Sequence, residues 1–137
     1  MSWDVFASRF PAETRFIKEL AKDWRPDPIG ARADVINQIL DVVPNADFST
    51  DSDDGHIDSE GFSIEVTLGG GDRVDSIMFH VRGSGAPPLC VLKIIHRLGI
   101  RAYDCQTGEF LTADQSGKSF SDWQQYRDRV IEKKPPK

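Results

Sequence analysis

Phe62-Ser63-Ile64-Glu65-Val66-Thr67-Leu68, followed by Gly69-Gly70-Gly71-Asp72 and then Asp75-Ser76-Ile77-Met78-Phe79-His80-Val81, decides the fold. Apolar and polar residues alternate in both flanking runs. Successive side chains on a strand point to opposite faces, so this period of two marks half-buried β-strands. The glycine run between them is a turn signal. The stretch predicts an antiparallel hairpin whose inward faces are Phe62, Ile64, Val66 and Leu68 on one strand, and Ile77, Phe79 and Val81 on the other. One covered face and one wet face is the signature of an antiparallel sheet, not of a doubly wound parallel one.

Working outward, residues 3–10 read as a first strand through Val5, Phe6 and Phe10. Residues 12–22, after Pro11, place Phe16, Ile17 and Leu20 at helical spacing. Residues 31–43 carry Val35, Ile36, Ile39, Leu40 and Val43 on one helical stripe, closed by Pro44. Asn45 to Glu60 reads as a polar, acidic loop. Leu89 to Leu98 reads as a helix apolar over most of its surface, with Lys93, His96 and Arg97 on the wet side and Gly99 as its stop. Residues 100–104 and 109–111 are short strand candidates, and Ser119-Phe120-Ser121-Asp122 opens a last helix as a capping box. This order predicts a single α+β domain over residues 1–137. Its mostly antiparallel sheet has helices packed on one face in two layers, and its tail is loose from about residue 133.

The chain has 137 residues, 39% of them apolar, enough for one core without a disulfide or metal staple. Its net charge is −5, unevenly spread. Residues 33–72 hold ten Asp and Glu and no Lys or Arg. Nucleic-acid binding favours the opposite sign. No run reaches the length of a membrane span, and the first residues lack the basic and apolar regions of an export signal. Cys90 and Cys105 fit neither a zinc pattern nor a CxxC pair. The expectation is a cytoplasmic protein with reduced thiols, no membrane contact and no cofactor.

Three stretches of the sequence bear on chemistry. Asp51-Ser52-Asp53-Asp54-Gly55 resembles a calcium loop at a glance. Aligning Gly55 with the invariant glycine puts Thr50 at the first ligand position and Gly61 where a bidentate Glu is needed. Gly83-Ser84-Gly85 lies between a strand and a helix, the setting of an anion-binding turn, but Pro87 and Pro88 remove two amide donors. His56, His80 and His96 have no zinc-site spacing, and no metal ligand set is expected. Trp24, beside Arg25-Pro26, reads as a lid on the core, with a partner anchor as the alternative.

The segments Met1-Ser2-Trp3-Asp4-Val5, Arg25-Pro26-x-Pro28-Ile29-Gly30-x-Arg32, Gly61 to Val66 and Val74-Asp75-Ser76 resemble a group of small bacterial proteins without assigned activity. In size and charge the chain is also similar to immunity proteins of polymorphic bacterial toxin systems. That resemblance implies a protein-binding role: an acidic loop of Asp51, Asp53, Asp54, Asp58 and Glu60 would occupy the basic groove of a cognate toxin. With no reaction motif present, binding is favoured over catalysis. The alternatives are a small enzyme built on His80, Arg82 and the Gly83 to Gly85 turn, with Cys105 as a conceivable nucleophile, or a homo-oligomeric scaffold.

Overall fold

The hairpin is the centre of the sheet. In a computed structural model that describes residues 3–48, 54–59, 61–83 and 89–111, β5 (Phe62–Thr67) pairs antiparallel with β7 (Ser76–Gly83), Ile64 opposite Val81 and Val66 opposite Phe79. β1 (Trp3–Ser8) lies on the other side of β7, and β8 (Arg101–Asp104) lies beyond β1. On the opposite flank, β4 (Asp54–Ser59) pairs with β5, and the two-residue β3 (Asp47–Phe48) pairs with β4. The six strands run β3-β4-β5-β7-β1-β8, every neighbouring pair antiparallel. A second, small sheet joins β2 (Gly30–Ala31) to β6 (Arg73–Val74).

Two helices, α1 (Arg32–Val42) and α2 (Leu89–Leu98), pack together and cover one face. Alternation supplies that face: Trp3, Val5 and Ala7 from β1, Ile64 and Val66 from β5, and Ile77, Phe79 and Val81 from β7, all buried. The helices answer with Val35, Ile39, Val91, Ile94 and Leu98. Burying each such large side chain contributes roughly 1.5–3 kcal/mol. The architecture is α+β, with both described helices on one side of an antiparallel sheet. No helix among the described residues is long and apolar enough to cross a membrane.

Several local expectations are corrected. Residues 12–22 do not form a helix; only a single 3-10 turn, Ile17–Glu19, is present. Their backbone groups are engaged sideways instead. The Ile17 N–H donates to the Gly108 carbonyl, and the Phe110 N–H donates to the Arg15 carbonyl. Phe16, expected on an inward stripe, is 37% exposed. The first strand ends at Ser8 because the chain turns there, the Phe10 N–H donating to the Ser8 carbonyl. The expected loop of residues 45–60 contains β3 and β4. Ile57 and Gly55 face inward while His56 and Asp58 are exposed, a short alternation that completes the flank of β5. Residues 100–104 and 109–111 are reduced to β8 and two isolated bridges, Tyr103 to Phe110 and Phe16 to Glu109. The helix expected from Ser119 and the tail from residue 133 lie outside the described residues.

Two glycines are required by geometry. Gly99 ends α2 with φ 66°, the left-handed region. Gly83 closes β7 with φ 123°, and a Cβ there would strike the Gly61 carbonyl oxygen and the Phe62 backbone.

Candidate functional site

The sheet face away from the helices divides into two halves. Over β1 and β8 the face is aromatic. Phe6, Phe10, Tyr103 and Phe110 form tilted and edge-on ring pairs with centroids 5.0–6.1 Å apart. Trp24 stacks on Phe10 at 5.1 Å. The connector through residues 11–28 therefore packs on this end, and Trp24 is a lid on it. Arg101 pins the connector: its guanidinium donates to the Pro11 carbonyl and, at 2.7 Å, to the Thr14 carbonyl, and lies 4.3 Å from the Phe110 ring centroid.

Over β3, β4 and β5 the same face is acidic. The registers place Asp47 opposite His56, and His56 opposite Glu65. They continue with Glu65 opposite His80, and His80 opposite Asp4. One row thus crosses five strands as Asp47, His56, Glu65, His80, Asp4. Asp54 and Asp58 flank His56 on its own strand, across from Thr67 and Ser63. Asp47 and Asp58 are exposed, and among the described residues no cation forms an ion pair with either. Glu65 has only a long contact with Arg82, 3.9 Å, between partly exposed groups. Such exposed pairs contribute little.

Of the five residues expected to make the acidic contact, Asp54 and Asp58 share this face. Asp51, Asp53 and Glu60 lie outside the described residues. Asp54 and Asp58 sit on a strand, not on a loop, so the surface they offer is flat. Asp47 and Glu65 join them, and sequence reasoning missed both. The signal was present: Glu65 is a polar member of the central alternation, and its outward neighbours follow from the register. The acidic stretch is not wholly gathered, however. Asp34 and Asp41 lie on α1 in the helical layer, where Asp41 pairs with Arg97 at 3.1 Å.

The second candidate, around His80, has a definite geometry. His80 Nδ1 lies 2.7 Å from Asp4 Oδ1, both groups about a third exposed. Arg82 is two residues on along the same face, and Gly83 ends the strand; Ser84 and Gly85 lie outside the described residues. Cys105 stands beside Asp4, its N–H donating to the Asp4 carbonyl at 3.0 Å. Its thiol is pushed up to about 11, first by burial and then by the carboxylates of Asp4 and Asp104. A thiol so placed stays protonated at neutral pH, the reverse of an activated nucleophile. Asp104, 3% exposed, has its own partners: it accepts from the Trp3 indole N–H at 3.0 Å and from the Gln106 N–H at 2.8 Å. Among the described residues no group of three or more His, Cys, Asp and Glu is placed to hold a metal ion.

The chain matches no family model, no curated protein and no solved structure.

Proposed function

We propose that this chain is a protein-binding domain that meets a basic partner with the acidic half of its sheet face. Following the resemblance to small bacterial immunity proteins, the partner is a cognate toxin domain and binding neutralises it in the cytoplasm. The observation that carries the reading is the gathering of Asp47, Asp54, Asp58 and Glu65 on one flat surface of three adjacent strands. That surface belongs to a segment with no Lys or Arg of its own. A predominantly negative surface steers an oppositely charged partner and speeds association, an effect that salt suppresses.

The test is capture of the partner from the native host, followed by kinetics. A variant with Asp47→Asn, Asp54→Asn, Asp58→Asn and Glu65→Gln is compared with the wild type. The expected result is association slowed about tenfold or more at low salt, with a flatter salt dependence. Equal on-rates for the two proteins remove this face from the function.

One observation favours a second reading. An imidazole oriented by a carboxylate 2.7 Å away is the geometry of a general base. In that reading the site of a small enzyme lies at His80 and Asp4, with Arg82 as the anion-holding group. Cys105, its thiol pushed up to about 11, adds no activated nucleophile to this pair, and the acidic surface makes binding the preferred function.

A further inference from the structure

α2 carries one broad apolar face, with Lys93, His96 and Arg97 exposed on the other side. Val91, Ile94 and Leu98 are buried in the core, and Leu92 and Ile95 form a neighbouring half-buried strip. Between the second strip and the outermost strand lies a cavity of about 380 Å³. Its floor is Ile100 and Ala102, both buried. Its walls are Leu92, Ile95 and Leu111, each half-buried, and exposed Lys93 and His96 stand at its rim. No carboxylate is among the described residues that line it.

We propose that this cavity binds an amphipathic monoanion, a carboxylate carried on an unbranched alkyl chain. Volumes from roughly 300 Å³ upward, lined by apolar side chains with a few polar groups at defined points, are the usual form of a small-molecule site. The described residues of the floor and walls offer no polar side chain to replace water on a polar ligand, so the buried part of the occupant is apolar. The rim offers the Lys93 ammonium beside an imidazole, on a chain whose net charge is −5. An anionic head group meets a cation there and no carboxylate among the described lining residues. The site is separate from the acidic face: β8 is one edge of the sheet and β3 the other.

The experiment is calorimetric titration of the full-length protein with decanoate, and with decanol as the uncharged chain of equal length. Saturable binding of both is expected, with decanoate the tighter. Lys93→Glu is expected to weaken decanoate about tenfold and decanol less than about twofold. Ile95→Trp, which narrows a half-buried wall, is expected to weaken both about tenfold, with an unchanged melting temperature as the control for folding. Absence of saturable decanoate binding by the folded full-length protein overturns the proposal, as does equal decanoate affinity in Lys93→Glu. Occupation of the cavity by the chain's own residues gives the first of these results.

Discussion

Asp4 and His80 face each other across β1 and β7, with 2.7 Å between a carboxylate oxygen and the imidazole Nδ1. They come from strands far apart in the chain, so the contact reports sheet assembly directly. Both groups are about a third exposed, and water screens them. A double-mutant cycle with Asp4→Asn and His80→Gln, read by urea denaturation, is expected to give a coupling of about 0.5–1 kcal/mol. A coupling of zero makes the contact incidental.

Cys105 is expected to resist alkylation near neutral pH. Its thiol is raised from an ordinary 9.0 to about 11, burial being the largest cause. In a Cys90→Ser background, iodoacetamide labelling of Cys105 should be slow at pH 8 and rise steadily towards pH 11. The folded protein holds this proton more tightly than the unfolded chain does. The associated stability is therefore fully present below pH 9 and is lost as the pH climbs through the folded value. Asp4→Asn removes one of the carboxylates that raise the thiol, so it should speed labelling at a fixed pH of 9.

The carboxylates divide into two kinds, and stability measurements should separate them. Asp104 is buried and accepts from the Trp3 indole and the Gln106 amide. Asp104→Ala strands a buried donor and is expected to cost about 2–3 kcal/mol. Asp47→Asn and Asp58→Asn alter exposed groups in an acidic neighbourhood. Each should change stability by less than about 0.5 kcal/mol. A large loss from either surface change would assign that residue to the fold and not to a partner.

Arg101 should hold the connector in place. Arg101→Ala removes its bonds to the Pro11 and Thr14 carbonyls and its contact with the Phe110 ring. Hydrogen exchange is expected to rise selectively between residues 11 and 20, with a global cost of about 1.5–3 kcal/mol. Protection that stays uniform would mean that the aromatic rings alone anchor this segment.

Phe79 lies on β7 with no exposure and meets Val66 and Val5 as direct cross-strand neighbours. Phe79→Ala should destabilise the protein by about 3–5 kcal/mol in denaturant unfolding. A loss below about 1 kcal/mol would show that this row is not the core.

The central hairpin and both helices were legible because each carries a long, unbroken apolar period. β5 alternates through Phe62, Ile64 and Val66, and α1 carries Val35 and Ile39 on one stripe. Residues 12–22 misled because Phe16, Ile17 and Leu20 imitate a helical spacing while their backbone bonds to the strand end at Gly108. β4 was hidden because it has only one large apolar side chain, Ile57, among acidic and glycine residues. A strand supported chiefly by its neighbour's edge leaves little trace in its own composition. The acidic face was legible as composition but not as a surface. Joining Asp47 and Glu65 to Asp54 and Asp58 needs the register of three strands. The Asp4–His80 contact was illegible for the same reason: nothing local relates residues 76 positions apart.

β1 is first in the chain, yet it is wedged between β7 and β8. During synthesis it leaves the ribosome with neither neighbour in existence. Trp3 waits for Val81, and Val5 waits for Asp104. The nascent chain must therefore carry this strand with open backbone groups until β7 and β8 have emerged. Such long-range closure slows folding and exposes the waiting strand to wrong partners. Early chaperone engagement follows from where this one strand sits between two later ones.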